Sequence, residues 1–301
     1  MHRIVLTGSN GLLGQKLVQL LKNKKNVSLL ATSAGDNRIS DDSGYEYRCM
    51  NITDAKEVDR VLSEFKPTAV INTAAMTLVD LCETEREKCH QVNVTGVANL
   101  LDSCKHLDAH LVQVSTDFVF DGEDGPYAEE DDPNPLSEYA KSKYRAEQLL
   151  LSSDYKNWSI ARTIILYGVG ENMSRSNVVL WARETLKKGS EMNIVHDQFR
   201  SPTLAEDLAL GCWAIVERGK TGVFHLSGPE TMSIIELVKR IASYYDLNDD
   251  NINPIDTRSL GQPAVRPPRT GFILDKAINE LDYSPRTLEE GLALIDQQLP
   301  L

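Results

Sequence analysis

Short apolar runs alternate along the first half of the chain with longer stretches in which apolar residues recur every three or four positions. The first run, "RIVLT" (3–7), leads into a helical pattern from Leu12 to Leu21, with apolar residues at Leu13, Leu17, Leu20 and Leu21. The runs "VSLLAT" (27–32) and "YEYRCM" (45–50), a helix over Ala55 to Phe65, the run "AVINTA" (69–74) and a long helix ending near Cys104 follow in turn. Next come "HLVQVS" (110–115), a helix headed by "SEYAKSKYRAEQ" that reaches about Leu151, and "WSIART" (158–163). Strand-like runs separated by helical segments predict parallel βαβ units, because parallel neighbours need a long crossover. The expected fold class is α/β: a doubly wound parallel (Rossmann) sheet with a smaller C-terminal α/β substrate-binding lobe.

After about residue 168 the rhythm loosens. "GVGENMSRS" and the segment from "NDDNINP" through "GQPAVRPPRTG" are rich in Gly, Pro, Asn and Asp, which favours loops. Between them the pattern predicts helices near Val178 to Lys188 and Ala205 to Glu217, a strand "GVFHLS" (222–227) and a helix from Ser233 to Tyr245. The division expected is a nucleotide-binding domain over 1–168 and a lobe over 169–301 that covers the carboxyl ends of the strands. Segments after residue 190 are expected to return to the large domain.

Bulk properties narrow the function classes. The chain has 301 residues, 41% hydrophobic and 25% charged, ordinary values for a globular protein. A formal net charge of -12 repels phosphate at long range, so neither nucleic acid nor a membrane surface is an expected partner. Any phosphate-bearing ligand must then be held locally, by backbone N–H groups or a few arginines. The apolar runs are too short to span a bilayer and no signal peptide precedes the first strand, which makes the cytoplasm the expected compartment. Cys49, Cys82, Cys89, Cys104 and Cys212 are odd in number, lack C-x-x-C spacing and read as reduced thiols. Cys104, His106 and His110 offer no fourth ligand, and no metal site is expected.

"LTGSNGLLG" places Gly8, Gly11 and Gly14 between the first strand and the first helix. That context suits a pyrophosphate, which needs a tight turn, close backbone approach and a positive helix end; Gly8, Asn10, Gly11, Leu12 and Leu13 would surround it. The second strand ends "ATSAGDNR", where Thr32, Ser33 and Arg38 suit the 2′-phosphate of NADPH, while Asp36 keeps NADH open as the donor. Asn51 and Ile52, after the third strand, could border the adenine, and Ala74 and Ala75, after the fourth, let the backbone pass close to the cofactor.

The opening of the helix at Ser137 carries Tyr139 and Lys143, four positions apart and so on one helix face. "VSTDFVFDG" supplies Ser115, Thr116 and Asp117 at a strand end some twenty residues earlier. A hydroxyl, a phenol and an ammonium together suit carbonyl reduction, in which oxygen gains negative charge and needs a proton and a hydrogen bond. Tyr139 would donate the proton, Thr116 would polarise the carbonyl, and Lys143 would stabilise the phenolate and hold the cofactor ribose. Tyr144 points elsewhere around the helix.

With these residues in place the chain resembles the dTDP-4-dehydrorhamnose reductases of the extended short-chain dehydrogenase group. The likeness is carried by "TGSNGLLG", "VINTAAMTLVDLCE", "VNVTG", "STDFVFDGEDGPYAEEDDPNPLSEYAKSKYRAE", "ARTIILYG", "DQFRSPTLAEDLA", "FHLSG" and "RPPRTGFILDKA". It implies catalytic roles for Thr116, Tyr139 and Lys143, a nucleotide-sugar substrate, and reduction of the C4 keto group of dTDP-4-dehydro-β-L-rhamnose to dTDP-L-rhamnose. Thr77, Asp117, Arg200 and Arg266 are expected on the substrate side, the arginines, with Arg269, near a diphosphate. Some members use a divalent metal at a dimer contact; here the run "EDGPYAEEDD" reads as a solvated loop, and a homodimer stays open. The family usually has a glycine where "DQFRSPT" has Arg200, a tyrosine where Phe118 stands and a glycine where Ala140 stands. With Arg200 the chain is also similar to the β regulatory subunit of methionine adenosyltransferase, a relative that keeps the fold and serves as a partner protein.

Overall fold

A computed structural model of the chain describes residues 1–299. Seven strands form one parallel sheet: β1 (His2–Thr7), β2 (Val27–Ser33), β3 (Glu46–Cys49), β4 (Ala69–Asn72), β5 (His110–Thr116), β6 (Trp158–Thr163) and β7 (Gly222–His225), in spatial order β7-β6-β5-β4-β1-β2-β3. The order reverses beside β1, so a crevice opens at the carboxyl ends of β1 and β4, where ligands bind in open α/β sheets. One face packs Ile4, Leu6, Ile71 and Phe224 against the helices Leu12–Leu21 and Ala205–Glu217. The other face packs Val5, Val70, Leu111 and Ile160 against the helices Ala55–Phe65, Gly96–Leu107 and Glu138–Leu151. Strands buried on both sides explain why their runs read as continuously apolar.

A third apolar cluster belongs to the smaller lobe, where the helices Val178–Lys187, Ile234–Tyr244 and Leu288–Gln298 enclose Val179, Leu237, Ile241 and Leu292. Among the described residues the lobe has only two-stranded ladders, such as Met192–Val195 beside Ile252–Ile255. Chain order does not separate the two parts. The helix Ala205–Glu217 and β7 belong to the large domain, and the chain passes through the lobe both before and after them.

The long helix read between the fourth and fifth strands is broken. Helices Val79–Thr84 and Arg86–His90 lead through a π turn, Gln91–Thr95, into Gly96–Leu107. Asn93 in that turn accepts from Met76 N at 2.7 Å and donates to Ser142 Oγ at 2.9 Å, tying the loop after β4 to the helix that carries Tyr139. π turns of this kind re-aim one side chain inside an otherwise helical run. No helix of the described residues is long and apolar enough to cross a membrane.

Candidate active site

A cleft of about 1500 Å³ runs along the carboxyl ends of the strands, between the glycine turn and the smaller lobe. At one end Gly8 adopts φ +69°, and a Cβ there would lie 2.6 Å from Ala74 N. A Cβ on Gly14 would overlap the Gly8 carbonyl oxygen. Only glycine lets the turn, the strand and the helix approach so closely. The helix Leu12–Leu21 starts without a side-chain cap and without an acidic residue in its first turn, so its positive end is left for an anion. Gly11, Leu12, Leu13 and Ala75 line the cleft; Ala74 backs Gly8 from behind.

The predicted ribose end is assembled differently from the sequence expectation. Asn10 lines the cleft, yet its amide staples the neighbouring loop: Nδ2 donates to Asp36 O at 2.8 Å and Oδ1 accepts from Arg38 N at 2.9 Å. Ser33 and Arg38 line the cleft beside Asp36. Thr32 does not; its hydroxyl is buried and donates to Leu6 O at 3.2 Å, because alternation along β2 turns it into the sheet. Asn51 and Ile52 also lie off the cleft wall. The Asn51 carboxamide accepts from Thr53 N at 3.1 Å in a local turn, and Ile52 is buried against Gly96.

The opposite wall brings Thr116, Tyr139 and Lys143 together. Ser137 caps the helix Glu138–Leu151 by accepting from Ala140 N, which fixes where Tyr139 leaves the first turn. Tyr139, Lys143 and Glu147 then repeat at four-residue spacing on its buried face. Tyr144 packs instead toward Phe120 and Tyr127. The Lys143 ammonium donates to Val114 O at 2.7 Å, and burial pushes its pKa down to about 8, with Glu147 opposing. Burial pushes the Tyr139 phenol well up, while hydrogen bonding with Thr116 and the charge of Arg175 pull it back. The Lys143 ammonium spends one of its three N–H groups on that backbone carbonyl and keeps two. Ser115 Oγ and Thr163 Oγ1, at the ends of β5 and β6, are buried on the same wall and have no partner. Unpartnered buried hydroxyls facing a cleft fit a polar ligand there.

Asp117 and the arginines complete the site. Thr116 Oγ1 donates to Asp117 Oδ1 at 3.0 Å, Thr270 donates to Oδ2, and Arg200 Nε lies 3.8 Å from Oδ2. Burial raises the Asp117 pKa, against which Arg200 and the two hydroxyls act. Arg200 is itself only 3% exposed and donates to the carbonyls of Phe199, Pro267 and Pro268. It ties the "VRPPRTG" segment to the core and presents no free fork to a diphosphate. Arg266 grips Asp80 through both nitrogens, at 3.0 and 2.6 Å. Arg269 stacks on Phe199. Thr77 lies in the cleft and accepts from Arg175 Nη2 at 2.6 Å. Arg175 and Thr163 were missed in the sequence; Thr163, at the end of the strand beside β5, had a positional signal, whereas Arg175 lay in a segment that read only as loop.

Comparisons with known proteins place the whole chain. The chain is 30% identical to a dTDP-4-dehydrorhamnose reductase of Clostridium acetobutylicum, with TM-score 0.87 over 99% of this chain and 100% of that one. The Bacillus anthracis dTDP-4-dehydrorhamnose reductase, solved in complex with NADP, is 28% identical, with TM-score 0.84 over 99% and 100% of the two chains. The methionine adenosyltransferase 2 subunit beta of Xenopus tropicalis is 31% identical over 265 residues, 86% of this chain and 77% of that one. A family model described as "RmlD substrate binding domain" matches residues 1–299. With the whole chain matched and solved reductases superposing along its full length, the protein belongs to the RmlD family, that of the dTDP-4-dehydrorhamnose reductases.

Proposed function

We propose that the protein is a sugar-nucleotide reductase that uses NADPH, with NADH as an alternative donor. Its substrate in this reading is dTDP-4-dehydro-β-L-rhamnose, reduced at C4 to dTDP-L-rhamnose. One observation carries the proposal: Thr116, Tyr139 and Lys143 meet on the cleft wall that faces the glycine turn. The cradle of Gly8 and Gly14, the uncapped helix start and the free Ser115 and Thr163 hydroxyls fit a dinucleotide whose nicotinamide lies against β5 and β6. Ser33 and Arg38 would take its ribose phosphate, and the bound nicotinamide would supply hydride.

The residues of the chain do the rest. The Thr116 hydroxyl turns from Asp117 to the substrate oxygen and holds it, so that charge developing there meets a hydrogen bond already in place. Tyr139 donates its proton to that oxygen. Its phenol is a weak acid in this buried setting and gives up the proton only as the alkoxide forms, which suits a general acid. Lys143, with two N–H groups to spare, would stabilise the phenolate left behind and hold the ribose of the cofactor. The experiment is loss of NADPH absorbance with freshly prepared dTDP-4-dehydrorhamnose, run beside NADH and beside UDP- and GDP-linked 4-keto sugars. Oxidation that depends on the dTDP sugar supports the assignment. Oxidation with another sugar alone would move the substrate, and none with any of them would reject the reductase.

A second reading, an NADP-binding regulatory subunit that catalyses nothing, draws on Arg200, which stands where the reductases usually carry glycine and which anchors Asp117 beside Thr116. Recovery of a stoichiometric enzyme partner together with no turnover would favour it.

A further inference from the structure

Five cationic side chains line the cleft: Arg38, Lys143, Arg175, Arg200 and Arg266. Three of them are committed elsewhere. Lys143 holds the Val114 carbonyl, Arg200 holds three carbonyls and faces Asp117, and Arg266 holds both oxygens of Asp80. Arg38 stands at the glycine-turn end, in the loop stapled by Asn10. Arg175 is left. It is exposed, and among the described residues no carboxylate pairs with it; its guanidinium donates to the neutral hydroxyl of Thr77.

Its position matters as much as its freedom. Thr77 follows β4 in the large domain, while Arg175 sits in the loop that leads into the helix Val178–Lys187 of the smaller lobe, so the contact spans the mouth of the cleft. Arg175 and Tyr139 line the same cleft. A phosphate reaching this point meets a chain of net charge -12 and needs a local cation with N–H groups to spare. A guanidinium held by one neutral hydroxyl can exchange that bond for two charge-assisted ones to phosphate oxygens, whereas Arg200 or Arg266 would first have to abandon buried or bidentate partners.

We infer that Arg175 binds the diphosphate of the nucleotide sugar, taking the role that the sequence alone assigned to Arg200 and Arg266. This rests on the sugar-nucleotide reading above. The test is calorimetric titration of dTDP, UDP and GDP into protein saturated with NADPH, for the wild type, R175A and R175K. R175A should weaken the preferred diphosphate about tenfold to a hundredfold, and R175K less, with NADPH affinity unchanged. Wild-type binding that R175A leaves unmoved would overturn the role of the arginine and leave the reductase standing. A parallel loss of NADPH affinity would overturn it too, by placing Arg175 on the cofactor phosphates. If the wild type binds none of the three diphosphates, this inference and the sugar-nucleotide reading fall together.

Discussion

The two long walls of the cleft are built by different rules. The wall of Thr116, Tyr139 and Lys143 stands on a strand end and one helix face, so its side chains are aimed by local geometry: a cap at Ser137, four-residue spacing and the pleat of β5. The arginine wall is assembled from segments far apart in the chain, with Arg200 reaching Pro267, Arg266 reaching Asp80 and Arg175 reaching Thr77. In the proposed function, chemistry would rest on rigid elements and recognition on loops whose partners only the tertiary fold decides. An arginine near a ligand is not for that reason a ligand-binding arginine.

The comparison can be broken most severely at Tyr139. Y139F should lower turnover by about a thousandfold or more while NADPH titrates with unchanged affinity, since only the transferable proton is removed. Turnover within tenfold of the wild type would remove Tyr139 as the acid. On the other wall, R200A should act on the fold: it leaves the Asp117 carboxylate buried without its cation, which costs about 3–5 kcal/mol in a urea unfolding series. A stable R200A with weakened diphosphate binding would show that this arginine belongs to recognition after all.

Smaller effects sharpen the contrast at each end. R38A should raise KM for NADPH about tenfold and leave NADH unchanged, because only NADPH carries a 2′-phosphate. Equal losses for both donors would place Arg38 elsewhere. A further effect is on pH dependence. Lys143 titrates near 10.5 when unfolded and about 8 when folded, so between those values the unfolded chain binds more protons. The contribution of Lys143 to stability should therefore rise with pH across that window. In K143M, unfolding midpoints should lack this rise; identical profiles for the two proteins would mean that the ammonium is not desolvated as described.

What could be read from the sequence follows the same division. The strands, the glycine turn and the Tyr139–Lys143 face were legible because each is written in residues close together in the chain: continuous apolar runs, glycine spacing and a period of 3.6. The helix Ala55–Phe65 matches its predicted bounds for that reason. One step of alternation along β2 separates Thr32, off the cleft, from Ser33, on it, and Asn51 and Ile52 also lie off the cleft wall, positions that the strand ends alone did not show. The break in the long helix at Gln91–Thr95 was illegible because its cause, Asn93 bonded to Met76 and Ser142, lies in contacts across the fold. The arginine roles were illegible for the same reason.

The position of β7 has a consequence for how the protein is made. During synthesis β6 remains an open edge until Gly222–His225 has emerged, and roughly 60 residues separate the two strands, about 3–12 s at ordinary ribosomal rates. Throughout that interval the nascent sheet offers unpaired backbone to any other extended chain. The hazard of misassembly is thus concentrated between the completion of one strand and the arrival of its neighbour, and a mutation that delays β7 would lower yield without touching the cleft.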